Sequence, residues 1–401
     1  MMRPCTRLVS AAALFAGLGF STAAQAQGGS TFSSQTNPDR IPVPVVPFLT
    51  LTPDARSAAL GDAGVALAPT DANALFWNPS KLLFAPDNSG VSFSYTPWLR
   101  NLGLDDMWLG YLSAYKKLGT NQVIGFSLNY FNQGVIQFTN NVGTNIGTFN
   151  SRDFGAAVTY SRRLSQRLAL GASLRYINSN PAGEQVLNGI AVKPGTTVAG
   201  DIGIYYQGNT ERNTYWNWGA LISNLGGRMS YGGTQQGFIP TNLKVGTAVT
   251  TRLAEYHKLT FTLDLNKLMV PTPPQYDPTN PGVILKGKDP AKLTTLGGIF
   301  GSFADAPGGI SEELKEINQS VGAEYWYNDL LAIRLGFNNQ PKGNYRFVTA
   351  GFGAHYNRFG LDFAYLFPMG QNSPLANTLR LTLSIGFDKG SRVDEPDDDN
   401  N

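Results

Sequence analysis

Residues able to carry chemistry are few in this chain, and they are scattered. His257 and His355 are its 2 histidines. They stand about a hundred positions apart, with nothing of the short spacing that a metal site needs. Neither a G-x-S-x-G elbow nor a P-loop occurs. If the strands read below are correct, His355 faces a barrel lumen, which leaves room for a serine–histidine hydrolase. No serine stands out as its nucleophile, and an ordinary wall position is the plain alternative for both histidines. Cys5, the 1 cysteine, precedes the first apolar run. The expectation is no catalytic residue, no metal and no cofactor. What remains to be positioned is of another kind: polar groups in a small-residue stretch near the N-terminus, and apolar groups in one long insert.

The first elements set the compartment. Arg3 and Arg7 precede an apolar run over residues 8–20, and Ala24-Gln25-Ala26 offers a small-x-small cleavage site. This is the pattern of a secretory signal peptide over residues 1–26, cut after Ala26, and its apolar run is too short to span a bilayer. Cys5 leaves with it and does not lie at the cleavage site, so a lipid anchor is not expected and the mature chain has no thiol. The formal charge is +3, of which the two signal arginines carry a share, leaving roughly +1 and no nucleic-acid footprint. Charged residues make up 15% of the chain, with 45 glycines and no later apolar run of helical-span length. An exported chain of this composition is a large soluble β protein or an outer-membrane barrel.

The stretch over residues 54–84 organises the rest. Residues 27–39 are polar, and Ile41-Pro42-Val43-Pro44 is extended because each proline lacks an N–H. Asp54 is an N-cap candidate for a helix over residues 55–60, and Asp71 for a second over residues 72–77. Asn78 before Pro79 must leave the helical region and end it. Arg56, Asp62, Asp71, Asn73, Trp77, Asn78 and Pro79 read as a hydrogen-bonded plug inside a polar lumen. Plain helix capping would by itself account for Asp54 and Asp71. Residues 27–89 are thus expected to be a periplasmic segment and lumen plug.

From Gly90 onward the pattern alternates with period two. Leu168, Leu170, Leu174 and Tyr176 oppose Ala169, Gly171, Ser173 and Arg175. Leu379, Leu381, Leu383 and Phe387 oppose Arg380, Thr382, Ser384 and Gly386. Strands are expected near 90–97, 106–116, 121–132, 152–162, 167–178, 196–207, 214–224, 240–251, 257–266, 318–327, 329–339, 345–356, 359–367 and 376–387. That is about fourteen, and bacterial outer-membrane barrels have even numbers. Links after even strands are short. Those after odd strands are usually longer, notably 98–105, 133–151, 179–195, 225–239, 267–318 and 368–375. A barrel with short periplasmic turns and longer external loops obeys such a rule; a soluble sandwich has no reason to. Trp98, Trp108, Tyr111, Tyr115, Tyr130, Tyr205, Tyr206, Trp216 and Trp326 lie toward strand ends, where interfacial girdles sit. The fold class expected is all-β transmembrane: a 14-stranded antiparallel barrel over residues 90–387 with a plug of short helices. An acidic tail follows over residues 388–401.

The insert at 267–318 is too long for a turn. Leu268, Val270, Pro273, Phe300, Phe303, Asp305 and Pro307 are the candidate partner-binding residues, with Ser311 as N-cap of a short helix. A self-packed loop is the alternative.

At the level of motifs the chain resembles a known family. ARSAALGDAGVA from Ala55, DANALFWNPSKL from Asp71, SNLGGRMSY from Ser223, DLNKLMVPTPP from Asp264 and SFADAPGGISEELKEI from Ser302 are similar to the PorV (LptO) family of FadL-like barrels. The motifs are in order, and the resemblance covers nearly the whole mature chain; the first two motifs occur more widely among FadL-like barrels. The resemblance implies a type IX secretion component in the cell outer membrane. In that role it takes cargo from the translocon barrel SprA, binds the cargo's C-terminal signal domain and delivers it to the attachment complex with PorU. Outer-membrane lipid and lipopolysaccharide surround it, and no nucleic acid is involved. The alternative is a FadL-like transporter of hydrophobic small molecules with the plug as its gate.

Overall fold

A computed structural model describes residues 40–100, 103–139, 145–183, 186–187, 190–232, 236–280, 282–370 and 378–389. The expected export signal and almost all of the acidic tail lie outside them. Fourteen strands form one closed antiparallel barrel, each bonded to its neighbours in sequence, with the first pairing the last. They are β1 (Asp87–Pro97), β2 (Trp108–Lys117), β3 (Gln122–Thr139), β4 (Asn145–Arg163), β5 (Leu168–Asn180), β6 (Gly195–Tyr206) and β7 (Thr214–Gly226). The second half comprises β8 (Asn242–Ala254), β9 (His257–Leu268), β10 (Ile317–Tyr327), β11 (Leu331–Gln340), β12 (Tyr345–Tyr356), β13 (Phe359–Pro368) and β14 (Leu379–Lys389). Closure removes every sheet edge within the wall, which is what lets strands cross a bilayer.

The register follows the alternation in the sequence. Along β5, Leu170, Leu174 and Tyr176 face outward and are exposed, whereas Ala169, Gly171, Ser173 and Arg175 face the lumen and are buried. The outer surface is thus a continuous apolar band, carried around by residues such as Val245, Phe261, Leu263, Leu335, Leu361 and Leu383. Water would penalise a band of this extent heavily, and hydrocarbon does not.

Short turns gather at one end and long connections at the other. The β11–β12 link is an exception on the long side, since it is one tight 3-10 turn, Pro341–Gly343. The connection expected at 133–151 proves to be mostly strand: β3 and β4 continue together past Asn132 and Arg152, with a register shift between Asn132 and Gly134. The aromatic set also divides. Tyr95, Trp108 and Tyr130 pack side by side at the long-loop end, and Tyr206 stacks on Trp218 at the short-turn end. Trp98, Tyr111, Tyr115, Tyr205 and Trp326 instead face inward and are buried, so they do not belong to an outer girdle. A filled lumen gives such rings apolar partners: Tyr111 packs on Phe76, and Tyr205 on Phe84.

The candidate plug and partner-binding face

The plug descends through the lumen in short pieces. Asp54 caps α1 (Ala55–Ala58) by accepting from the Ser57 N–H at 2.8 Å, and its other oxygen accepts from the Trp77 indole. The second helix, α2 (Ala74–Trp77), starts two residues later than the sequence suggests. Asp71 is not its N-cap: it accepts from the Asn73 N–H at 2.9 Å and holds the turn before the helix. Asn78 is extended, as the following proline requires, and a 3-10 turn, Pro79–Phe84, leads to β1. Gly61 shows why small residues recur here: its φ is 72°, and a Cβ would meet the Phe337 backbone carbonyl at 2.5 Å.

Every predicted plug residue lies in this assembly. Arg56 makes a two-pronged contact with Glu324 of β10, at 2.9 and 2.7 Å. Glu324 also takes the Arg334 guanidinium at 2.7 Å, Arg334 reaches Asp362 at 2.6 Å, and His355 Nε2 lies 3.2 Å from Asp362. Plug and wall therefore share one buried chain of alternating charge. Asp62 faces Arg380 at 3.7 Å. Asp264 of β9 accepts from the Gly64 and Val65 N–H groups at 2.7 and 2.9 Å, and Lys81 donates to the Gly64 carbonyl at 2.6 Å. Asn78 donates to the Ile204 carbonyl at 2.9 Å, and Ser161 to that of Pro79 at 2.9 Å. Lys244 Nζ stands 4.6 Å over the Phe76 ring and 4.4 Å over Trp77. His355 is thus part of the wall's charge chain, and His257 bonds Tyr325 at 2.6 Å.

The described chain from Arg40 onward enters the plug from the long-loop end, and residues 27–39 of the expected periplasmic segment lie outside the described residues. Val46, Phe48 and Leu49 are buried among Trp98, Leu109, Phe131, Ile177, Met229 and Ile239, all near that rim. The Val45 N–H donates to Phe238 in the 227–241 connection at 2.9 Å. Arg40 grips Glu312 with two bonds, 3.0 and 2.7 Å. Apolar surface at 46–49 finds cover only there, which fixes the direction of entry.

Glu312 belongs to the long connection between β9 and β10, which is folded. It contains a ribbon of Gln275–Tyr276 with Ile284–Lys286, then α3 (Thr295–Gly301) and α4 (Ile310–Lys315). The cap of α4 is Gly309, with φ 71°, and not Ser311. Its acidic residues reach backward and sideways. Glu313 accepts from the Asp305 and Ala306 N–H groups at 2.8 and 2.7 Å, and Glu312 from Gly308 at 2.7 Å. Lys267 meets Glu316 at 2.6 Å and Glu313 at 3.1 Å, while Lys342 meets Glu312 at 2.9 Å and also bonds Glu316. Burial works against the Glu312 charge, but the hydrogen bonds from Arg40, Lys342 and Gly308 outweigh it and hold the carboxyl down at about 2. Burial pushes the Asp305 carboxyl up, against the opposing Thr272 bonds.

This clamp sorts the predicted partner residues. Val270 and Asp305 are buried, Leu268, Pro273 and Pro307 half-buried, so these hold the loop together. Phe300 and Phe303 are exposed, at 58% and 45%. Leu296, four positions before Phe300, shares its face of α3, Phe303 follows in the turn after that helix, and Ile310 and Leu314 repeat the four-residue spacing on α4. The sequence reading missed Leu296, Ile310, Leu314 and the clamp cations Lys267, Lys342 and Arg40. The i, i+4 spacing was the available signal for the first three; the clamp pairs had none, because their partners lie far away in sequence.

A closed barrel with an apolar outer band, a stoppered lumen and one elaborated rim defines an outer-membrane β-barrel. A family model for the type IX secretion system protein PorV matches residues 8–275. The chain belongs to the PorV family of the type IX secretion system, and is an outer-membrane component of that system. Curated proteins contain no match. Among solved structures, the Pseudomonas putida toluene transporter TodX is similar at 14% identity, covering 82% of this chain and 95% of its own, with a TM-score of 0.45. A Pseudomonas aeruginosa FadL homologue is similar at 11% identity, 84% and 99% coverage and a TM-score of 0.46. The Ralstonia pickettii toluene transporter TbuX is similar at 14% identity, 83% and 98% coverage and a TM-score of 0.47.

Proposed function

We propose that this barrel receives exported proteins at its long-loop rim. On this reading it takes them from the translocon SprA, holds their C-terminal signal domains and passes them to the attachment complex with PorU. The observation that carries the reading is the exposed apolar set of Leu296 and Phe300 on α3, Phe303 just after it, and Ile310 and Leu314 on α4, the last helix being clamped to the barrel by ion pairs. Large apolar groups held rigidly in water are what protein interfaces use as anchors. Export through a cleaved signal over residues 1–26 belongs to the same reading. Transport of hydrophobic small molecules, the alternative, requires the plug to break the Arg56–Glu324 contact and its neighbours, so it asks for a large displacement before any path opens.

The test replaces Phe300 and Phe303 with Asp together. Cargo at the cell surface should fall while folded barrel in the outer membrane stays constant, and cargo should accumulate on SprA or in the periplasm. Normal surface cargo with these residues charged overturns the apolar set as docking element. Loss of uptake of a hydrophobic compound, with cargo unaffected, would instead support the transporter.

A further inference from the structure

The β3–β4 hairpin rises above the rim with one side uncovered. β2 pairs with β3 only as far as Trp108 opposite Asn132. β3 itself continues, paired with β4, with Val135 opposite Asn150, Ile136 opposite Phe149, Gln137 opposite Thr148 and Phe138 opposite Gly147. Along residues 133–139 no strand lies on the other side of β3 among the described residues. The Val135 N–H points to that open side, because it donates to Asp106 Oδ2 at 2.7 Å. Backbone groups alternate sides along a strand, so Gln137 presents its N–H and C=O to the same open side. The far edge of the hairpin is different: Ser151 Oγ reaches the Asn180 carbonyl at 3.4 Å, and a Cβ on Gly183 would meet the Phe149 ring at 2.9 Å. The chain after β5 therefore backs that edge.

Exposed strand edges are ordinarily blunted by charge or proline. Here neither a charged residue nor a proline occurs between Lys117 and Arg152. Val135 is 59% exposed, and Ile136 and Gln137 are exposed as well; among the described residues Asp106 takes the Val135 N–H and no strand pairs with Gln137 on this side. The backbone groups left on this edge, the N–H and C=O of Gln137 foremost, recognise one kind of partner, an extended backbone. They do so with little regard to side chains, which suits a receptor for cargo of many sequences.

We propose that the outer edge of β3 at residues 133–139 accepts an extended segment of the cargo's C-terminal signal domain as an added strand. This rests on the cargo-receiving reading above. Asp106 occupies the place that a carbonyl of the incoming strand would take at Val135. The apolar set around α3 and α4 and this edge then serve separate parts of the same partner, side chains at one and backbone at the other.

The test measures binding of a purified C-terminal signal domain from a cargo protein to the purified full-length barrel in detergent. Gln137→Pro deletes the outward N–H and leaves the β3–β4 ladder intact, since that N–H does not face β4. It should weaken binding by about tenfold, with heat-modifiable folding unchanged, while Gln137→Ala binds as wild type. Asp106→Ala frees the Val135 N–H and should tighten binding, an outcome that misfolding cannot produce. Equal binding by wild type and Gln137→Pro overturns the edge proposal alone. Failure of the wild-type barrel to bind the domain overturns the cargo-receiving reading and the edge proposal with it. A wild-type dimer lost on Gln137→Pro, with domain binding unchanged, would assign the edge to a second copy of the chain and overturn the proposal.

Discussion

Arg56 of the plug and Glu324 of β10 lie 268 positions apart in sequence and meet through two hydrogen bonds at 2.9 and 2.7 Å, with Glu324 fully buried. The contact ties α1, near the start of the described chain, to a wall strand that follows much later in sequence. Neither charge has water to fall back on. The pair is sustained because Glu324 also holds Arg334, and Arg56 donates its remaining protons to the Pro69 and Ala68 carbonyls. Such a cluster defines one plug position sharply, since a half-made version leaves buried charge uncompensated.

Arg56→Ala should therefore cost about 3–5 kcal/mol, by leaving Glu324 short of a partner in the lumen. In planar bilayers the wild-type barrel should be silent, and the variant should show intermittent conductance as the plug loosens. A variant as silent and as heat-resistant as wild type would show that Arg56 does not hold the plug.

How much of this was legible in the sequence depends on the range of the cause. Strand number and register follow from a two-residue period, so Leu170 and Ser173 could be assigned to opposite faces by inspection. The 133–151 stretch was misread as a loop because its Gly, Asn and Thr content resembles turn chemistry. Extension of a hairpin is decided by cross-strand pairing, for example Ile136 with Phe149. Tyr205 and Trp326 were given to the girdle because aromatics at strand ends look alike from either side; only a plug inside the barrel makes the inward side apolar. Arg40 carries no local hint of Glu312, 272 positions away. Phe300 stood out by composition, and so did Val270, but only the clamp separates the exposed residue from the buried one.

The wall predicts a sharp contrast within one strand. Leu381 faces outward and Ser384, three positions on, faces the lumen half-exposed. Leu381→Arg should cost about 2–4 kcal/mol if it lies near the bilayer midplane, whereas Ser384→Arg should be tolerated with a smaller loss. Denaturant unfolding of the barrel in lipid vesicles checks this. Equal losses would mean that the faces are exchanged, as a slip of one residue would do.

The clamp around Glu312 at the long-loop end predicts an acid response. The Glu312 carboxyl is held at about 2, below its ordinary 4.5, so the folded state favours the charged form. Its contribution to stability is fully present above about 4.5 and is lost as pH falls toward about 2. Pepsin is active across that window. Cleavage near the exposed Phe303 and Leu314 should rise as pH is lowered through it, and Glu312→Gln should be cut readily at its upper end already. A cleavage rate in wild type that does not change with pH across the window would rule out the clamp as the element that orders this loop.

The last prediction separates the loop's clamp from its reach. Removing residues 268–316 entirely would strip Glu312, Glu313 and Glu316 from the buried Lys267 and Lys342, leaving two buried cations without these carboxylates, and such a deletion should damage the barrel itself. Excision of the ribbon alone, residues 276–286, leaves α3, α4 and every clamp contact in place. Closing the gap there alters loop entropy only modestly. The short excision should therefore keep folded barrel and surface cargo near wild-type levels, and the full deletion should lose both. Replacing Leu296, Phe300 and Ile310 with Ser within the intact loop should lose surface cargo alone, because it removes anchors and keeps the clamp. Quantifying surface cargo against barrel abundance in the same membranes distinguishes the three. If the serine variant delivers cargo normally while the short excision does not, the ribbon at Gln275–Tyr276 and Ile284–Lys286 is the docking element and the apolar set is not.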